Sequence, residues 1–114
     1  MRDLPDPLLD EAATRFRLLG DATRLRILRF LAQEGEAPVG EIAAAAGCSQ
    51  ANVSKHLRLL HDARIVRRRA EGTMAYYRVI DPSVAELCGI VCGGIRRQVA
   101  REAALMGVTP GGQA

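Results

Sequence analysis

Apolar residues recur with helical spacing along most of this chain, and short polar, glycine-containing or proline-containing segments interrupt them. The spacing predicts five helices, at residues 7–19, 22–33, 39–46, 50–60 and 82–104. Residues 34–38 are predicted to form a loop, because they combine two acids with glycine and proline. Between the fourth and fifth helices, two β-prone runs around Glu71 and Gly72 predict a hairpin. The pattern is mainly α with a small β-hairpin.

The fourth predicted helix has an apolar side and a polar side. Ser49 precedes it and predicts an N-cap, since its hydroxyl can accept from the open amides of the first turn. Val53, Leu57 and Leu60 lie in one narrow stripe, which we expect to be buried. Small residues on the other side would let the helix approach DNA bases. With Ser49, the residues expected to contact bases or phosphates there are Gln50, Ala51, Ser54, Lys55 and Arg58.

The hairpin after this helix is rich in arginine. Its two β-prone runs are residues 65–70 and 73–80. A short helix pair with Gly47 in the tight turn, followed by a basic hairpin, is typical of a winged helix-turn-helix. In that fold the fourth helix is the recognition helix and the hairpin is the wing. The wing residues expected to contact DNA are Arg67, Arg68, Arg69 and Thr73.

Positive charge is concentrated in this region of the chain. Residues 49–80 contain seven Lys or Arg and two acids, a net charge of +5, whereas the whole chain has +3 and the remainder therefore −2. An ordinary solvated helix and hairpin do not require such a concentration, but contact with DNA phosphates does. Double-stranded DNA is therefore the predicted partner. The two Tyr and two Phe are too few for a platform that stacks single-stranded bases.

Two runs of the sequence resemble the ArsR/SmtB family of bacterial repressors. They are FRLLGDATRLRILRFL at residues 16–31 and GCSQANVSKHLRLLHDARIVRRRAEGTMAYYRV at residues 47–79. The resemblance implies a homodimer of winged helix-turn-helix subunits, joined through their first and last helices, that blocks a promoter until an inducer releases it. It also implies that Gln50, Ala51, Ser54 and Lys55 read the bases. Two recognition helices about one duplex turn apart would read a palindromic operator.

Three features of the chain depart from the family pattern. Arg64 stands where such sequences commonly have glycine just past the recognition helix, so we expect a positive φ and modest strain there. Members that sense metal on the third helix have a Cys-x-Cys stretch where this chain has Val39–Ile42. Members that sense zinc on the last helix use Asp and His, and this helix contains no histidine. Neither of those metal sites is expected.

The last predicted helix carries an apolar stripe, and no further core-forming element follows it in the sequence. Such a stripe is a candidate dimer interface, paired with the first helix. On the first helix, Leu8, Ala12, Phe16 and Leu19 share a side that can pack in the core or across the dimer. The residues predicted for the interface are Leu8, Val84, Leu87, Cys88, Val91, Ile95 and Val99.

Cys88 and Cys92 are four residues apart and so lie on the same side of the last helix. Two thiolates so placed could bind trivalent arsenic, cadmium or zinc, or could be oxidised. Alternatively they are ordinary small core residues, which is the interpretation that we favour for Cys48. An odd number of cysteines, three, argues against a disulfide framework and for a reducing compartment. No cofactor is certain from the sequence.

Other classes of protein are less compatible with this sequence. A thiol-redox enzyme would need the Cys-x-x-Cys spacing, and no other catalytic constellation is present, so we predict no enzyme. Without an 18-residue apolar run or a signal sequence, we expect no membrane partner and a cytoplasmic location. A winged-helix regulator without inducer, constitutive or controlled by a protein partner, is the alternative function. The predicted divisions are a flexible N-terminus (1–6), one domain (7–104) and a flexible tail (105–114).

Overall fold

The computed structural model describes residues 2–107. In that range the elements are α1 (Asp6–Leu19), α2 (Ala22–Glu34), β1 (Ala37–Pro38), α3 (Val39–Ala46), α4 (Gln50–Asp62), β2 (Val66–Glu71), β3 (Met74–Val79) and α5 (Pro82–Leu105). They form two compact units, of which one ends at Asp81 and the other begins at Pro82. The predicted helices and the hairpin are confirmed, with ends that differ by at most two residues.

The sheet has one strand more than the sequence predicts. Its order is β1-β3-β2, and both pairs are antiparallel. The prediction that residues 34–38 form only a loop is wrong, because Ala37 pairs with Tyr77 and Pro38 with Tyr76. A two-residue strand is too short to show alternation, and proline is tolerated on an edge strand because its missing N–H faces away from the ladder. The wing is therefore joined to the segment between α2 and α3.

Side-chain caps begin α2 and the recognition helix α4, and the cap at Ser49 was predicted. Asp21 accepts a hydrogen bond from the backbone N–H of Arg24 at 2.9 Å. Ser49 accepts one from the backbone N–H of Asn52 at 3.1 Å. Each cap satisfies an amide that has no partner inside its own helix. The start of the recognition helix α4 is thus set by a residue in its own sequence.

Left-handed residues end the helices α3 and α4. Gly47 has φ 69° at the end of α3, and Arg64 has φ 62° just after α4, so the predicted positive φ at Arg64 is confirmed. The amide of Arg64 donates to the carbonyl of His61, and that of Ile65 donates to the carbonyl of Leu60. This is the paired hydrogen-bond pattern that a left-handed residue allows at a helix end. At Arg64 a residue with a side chain occupies a conformation that glycine adopts without strain.

The core of the first unit is built from the apolar sides of α2, α3 and α4 with the start of the hairpin. The predicted stripe of Val53, Leu57 and Leu60 is completely buried. The other buried residues of this core include Ile27, Leu28, Leu31, Ala37, Ile42, Ala43, Ile65 and Val66. Burying a large aliphatic side chain contributes about 1.5–3 kcal/mol, so the back of α4 is held firmly in place.

Two apolar side chains of α1 and α2 lie on the surface. The apolar spacing of α2 predicts that Leu25 points inward with Leu28 and Leu31, but this prediction is wrong, because Leu25 is 38% exposed. Phe16 on α1 is 58% exposed. The buried arc of α2 is centred on Ile27, Leu28 and Leu31, and Leu25 lies roughly 115° around the helix from that centre. Phe16 is on the side of α1 that also carries the exposed Leu8, where the sequence left core and dimer packing both open.

The second unit contains the single long helix α5. Val84 near its start is buried, whereas Ile90, Val91, Ile95 and Val99 are each more than half exposed. The helix continues through its three glycines to Leu105, which was predicted to start the tail. Residues 108–114 of that predicted tail lie outside the described residues. Within residues 2–107, no helix is both long and apolar enough to cross a membrane.

Candidate DNA-binding surface

The recognition helix α4 exposes every residue that the sequence assigned to DNA on it. Ser49, Gln50, Ala51, Ser54, Lys55 and Arg58 are all exposed. The opposite side of the helix, through Val53, Leu57 and Leu60, is fully buried. Because the back is anchored and the first turn is capped, the front presents its side chains from a rigid support. Its chemistry is that of a groove-reading helix: small residues and hydrogen-bonding groups at the N-terminus, and two cations.

An arginine of α2 holds the recognition helix from the side. Arg24 donates from Nε to Nδ1 of His56 at 3.1 Å and from a terminal nitrogen to the carbonyl of Leu18 at 3.0 Å. From the sequence alone we expect Arg24 to be solvated, like Arg26 and Arg29 on the same helix, and these two contacts show that this expectation is wrong. The reason is a contact between positions 32 residues apart in the sequence, which spacing within one helix cannot show. Arg24 links α1, α2 and the middle of α4.

A second arginine supports the far end of the recognition helix. Arg15 on α1 donates to the carbonyl of Ala63 at 3.1 Å and forms an ion pair with Asp81, the last residue of the first unit. Ala63 is the C-cap of α4, so this guanidinium satisfies a carbonyl that the helix leaves open. The sequence offered no signal for this contact. Both ends and the middle of α4 are thus restrained by polar contacts.

The wing divides its arginines between the two faces of the sheet. In the β2–β3 register, Arg68 is opposite Tyr77, on the face that carries Val66 into the core. Arg67 and Arg69 lie on the other face, because successive side chains alternate. Arg67 and Arg68 are exposed, and within residues 2–107 neither forms an ion pair or hydrogen bond through its side chain.

Arg69 is held by acids of the same chain. Its Nε and one terminal nitrogen donate to the two carboxylate oxygens of Glu36 at 3.2 and 2.8 Å, and the other terminal nitrogen donates to Glu71 at 2.7 Å. Its guanidinium also lies over the ring of Tyr76, 4.7 Å from the centroid. The hydrogen bonds from Arg69 lower the pKa of the Glu36 carboxyl, and those to Glu36 and Glu71 raise the pKa of Arg69.

Thr73 and the predicted thiol pair complete the sequence-predicted sites. Thr73 is exposed in the turn between β2 and β3. On α5, Cys88 is half-buried and Cys92 is exposed, and neither forms a disulfide. Within residues 2–107, no group of three or more His, Cys, Asp and Glu side chains could hold a metal ion. Among the described residues of one chain, Cys88 and Cys92 therefore do not form a complete metal site by themselves.

The residues predicted for the dimer interface differ in exposure. Leu8 on α1 is 50% exposed, and Val91, Ile95 and Val99 on α5 are exposed to a similar extent. Leu87 and Cys88 are half-buried and Val84 is buried. Apolar side chains repeated along one helix side and left in water are typical of a surface that another molecule covers.

A family model described as a helix-turn-helix domain matches residues 19–69 of this chain. Those residues contain α2, β1, α3, α4 and β2 as far as Arg69. An HTH-type transcriptional regulator of Methanocaldococcus jannaschii is 39% identical over 82 residues, which cover 72% of this chain and 92% of the relative. The similarity therefore extends over most of both proteins.

Solved structures show the same architecture. The chain resembles the antimony-specific transcriptional repressor AntR with a TM-score of 0.76 and 32% identity, over 84% of this chain and 86% of AntR. It also resembles a homodimeric winged helix-turn-helix DNA-binding domain from Mycobacterium bovis, a possible ArsR-family regulator. There the TM-score is 0.73 and the identity 35%, over 89% of this chain and 95% of the other. The exposed, capped recognition helix, the basic wing and these similarities together show that the chain belongs to the ArsR/SmtB family of winged helix-turn-helix transcriptional repressors.

Proposed function

We propose that this protein represses transcription as a homodimer that binds a palindromic operator, and that an inducer acting at Cys88 and Cys92 releases it. The observation that supports the DNA-binding part most directly is the recognition helix α4. Its back is fully buried and its front carries only exposed small, polar and basic residues. A helix of this kind can enter the major groove without first moving.

Roles on the DNA follow from side-chain chemistry. The side chains of Gln50 and Ser54 can each donate or accept a hydrogen bond at a base edge. The small side chain of Ala51 leaves room for the helix to approach the bases closely. Lys55, Arg58, Arg67 and Arg68 hold phosphates, with Ser49 and Thr73 as neutral phosphate donors. Phosphate contacts supply most of the affinity and little of the sequence preference.

Dimerisation through α1 and α5 is supported by the exposed apolar residues on both helices and by the homodimeric M. bovis neighbour. Two-fold symmetry would place two recognition helices on one side of the duplex. An operator with two inverted half-sites then matches the protein, and each half-site alone would bind far more weakly.

Operator binding is tested by fluorescence anisotropy with the DNA upstream of this gene, at several salt concentrations. We expect tight binding, and we expect the logarithm of the binding constant to fall linearly with the logarithm of the salt concentration. Lys55→Ala should reduce the slope by about 0.9, the value for one lost phosphate contact. An unrelated fragment of equal length measures non-specific binding. Equal affinity for both fragments, or no binding in dilute buffer, would contradict the proposal.

The inducer part is supported by two thiols one turn apart on α5 and by the similarity to the antimony-specific transcriptional repressor AntR. Trivalent arsenic and antimony prefer thiolate ligands. A three-sulfur site would need a thiol from the other subunit, which the dimer can bring near. Oxidation of the same pair is the alternative chemistry, and zinc and cadmium are the alternative metals.

The inducer is tested with the variant Cys88→Ser/Cys92→Ser and the matched control Cys48→Ser. Arsenite, antimonite, cadmium, zinc and peroxide are each added to the protein–operator complex. We expect at least one of them to release the wild type and Cys48→Ser but not the double variant. Release of all three proteins alike would place the sensor elsewhere. Release of none would favour a regulator that is constitutive or controlled by a protein partner.

A further inference from the structure

One wing arginine differs from its neighbours in that its charge is already satisfied. Arg67 and Arg68 are exposed and form no side-chain ion pair within residues 2–107. Arg69 uses all three of its guanidinium nitrogens on Glu36 and Glu71. Because all three nitrogens already donate to carboxylates, Arg69 can bind a phosphate well only if some of those hydrogen bonds break.

The contacts of Arg69 cross the whole sheet. Arg69 is on β2, its guanidinium covers Tyr76 on β3, and its partner Glu36 directly precedes β1. Arg69 and Tyr76 are cross-strand partners, and Tyr76 also pairs with Pro38 of β1. One side chain therefore ties the outer strand of the wing to the segment that leads into α3. The bidentate contact with Glu36 is directional, because both N–H groups must align with the plane of the carboxylate.

We propose that Arg69 and Glu36 form a wing clamp: Glu36 is a positioning residue that orients the hairpin so that Arg67 and Arg68 reach DNA, and Arg69 does not contact phosphate itself. This inference rests on the proposed placement of the wing on DNA. It assigns a role in DNA binding to an acidic residue, which simple charge considerations would count as unfavourable. It also replaces the predicted phosphate contact of Arg69 by a contact within the protein.

The two roles of Arg69 make opposite predictions for Glu36. If Arg69 contacts phosphate, removing the nearby carboxylate frees the arginine and strengthens DNA binding. If the clamp orients the wing, removing the carboxylate releases the hairpin and weakens DNA binding. The sign of one measured change therefore distinguishes them.

The first experiment compares Glu36→Ala with Glu34→Ala in operator binding. Both variants remove one acid, and the two positions are only two residues apart, but Glu34 at the end of α2 forms no ion pair within the described part of the chain. We expect Glu36→Ala to weaken operator binding about fivefold, a change of roughly 1 kcal/mol by the relation between affinity and free energy, while Glu34→Ala leaves it equal or slightly tighter. A tighter Glu36→Ala complex would overturn the clamp.

A charge-reversed pair tests the contact itself. Arg69→Glu should weaken binding, and Glu36→Arg/Arg69→Glu should restore most of the loss because the ion pair reforms in reverse. Glu34→Arg/Arg69→Glu adds the same charge without that partner and should not restore it. Equal restoration by both double variants would show bulk electrostatics and would overturn the proposal.

A third readout does not depend on DNA. Amide hydrogen exchange in β2 and β3 should be faster in Glu36→Ala than in wild type or Glu34→Ala, since the clamp restrains the hairpin in the unbound protein. Unchanged exchange would overturn the positioning role. If the wild type fails to bind the operator, the proposed function is wrong, and this measurement still decides whether the clamp holds the wing.

Discussion

Asp21 shows how one side chain sets the start of a helix. Its carboxylate accepts from the backbone N–H of Arg24 at 2.9 Å, and this hydrogen bond is the main reason why the pKa of Asp21 is lowered. The charged form of the carboxylate is the better acceptor, so the cap is strongest when Asp21 is ionised. Such a cap can be predicted from the sequence, because the hydrogen bond joins two residues only three positions apart.

We expect Asp21→Ala to lower the free energy of unfolding by about 1 kcal/mol at pH 7. Because the pKa is lower in the folded state than in the unfolded state, the stabilisation is present above the unfolded value, 3.8, and is lost as the pH falls through the folded value. Urea titrations of both proteins between about pH 7 and pH 2.5 measure this difference. A difference in the free energy of unfolding between wild type and Asp21→Ala that stays constant to the lowest pH would contradict an ionised cap.

Arg64 carries the strain that the sequence predicted. Its φ of 62° lies in the left-handed region, where a side chain is disfavoured. We expect Arg64→Gly to raise the free energy of unfolding by about 0.5 kcal/mol, since the strain relieved slightly exceeds the added freedom of the unfolded chain. Thermal unfolding followed by circular dichroism measures the change.

Gly47 provides the reciprocal control for that prediction. Its φ is 69°, and among the described residues nothing lies within 4 Å of a Cβ added there, so only the backbone conformation opposes a side chain. Gly47→Ala should therefore destabilise the protein by about 1 kcal/mol. If Arg64→Gly and Gly47→Ala shift stability in the same direction, backbone strain is not the cause.

At the scale of elements, the recognition helix combines local and tertiary support. Its cap and its apolar stripe come from residues close together in sequence, and both were predicted. Its contacts with Arg24 and Arg15 join residues 32 and 48 positions apart. Such contacts depend on how helices pack, which periodicity within one helix does not describe.

Ser49 has two roles on this helix, and two substitutions separate them. Ser49→Ala loses the cap and should lower the free energy of unfolding by about 1 kcal/mol, whereas Ser49→Asp keeps a good cap. Ser49→Asp also places a negative charge where DNA phosphates are expected, so it should weaken operator binding more than Ser49→Ala does. Urea titration and anisotropy on both variants test this. Equal operator affinity of the two variants would argue against a phosphate near Ser49.

The sheet shows the limit of element-level prediction. The hairpin was predicted from its β-prone runs and turn, but β1 was not, and with it the sequence missed the approach of Glu36 to Arg69. The three consecutive arginines looked equivalent in sequence. The register decides that Arg68 lies on one face and Arg67 and Arg69 on the other.

At the scale of the whole molecule, the exposed apolar residues of α5 are the proposed dimer interface. Ile95 and Val99 are more than half exposed in one chain, so a charge there should not disturb the folding of the isolated subunit. We expect Ile95→Glu/Val99→Glu to convert a dimer into a folded monomer and to weaken binding to the full operator far more than to a half-site. Sedimentation and anisotropy provide the two measurements.

Ala100 offers a matched control for this prediction. It is exposed on the same helix but lies roughly 140° around from Ile95, so Ala100→Glu adds a charge away from the predicted interface. The variant should remain dimeric. A dimer that survives Ile95→Glu/Val99→Glu would exclude this side of α5 as the interface.

Local order in the sequence by itself determined the helices, the cap of α4, the strained turn at Arg64 and the location of positive charge. Each of these depends on residues within about one or two helical turns or on composition, and such interactions have the same form in any fold. The tertiary structure alone decided the third strand, the restraints on α4 and which wing arginines remain available to DNA. Those outcomes arise from pairs distant in sequence, such as Glu36 and Arg69, whose hydrogen bonds form only after the chain has packed.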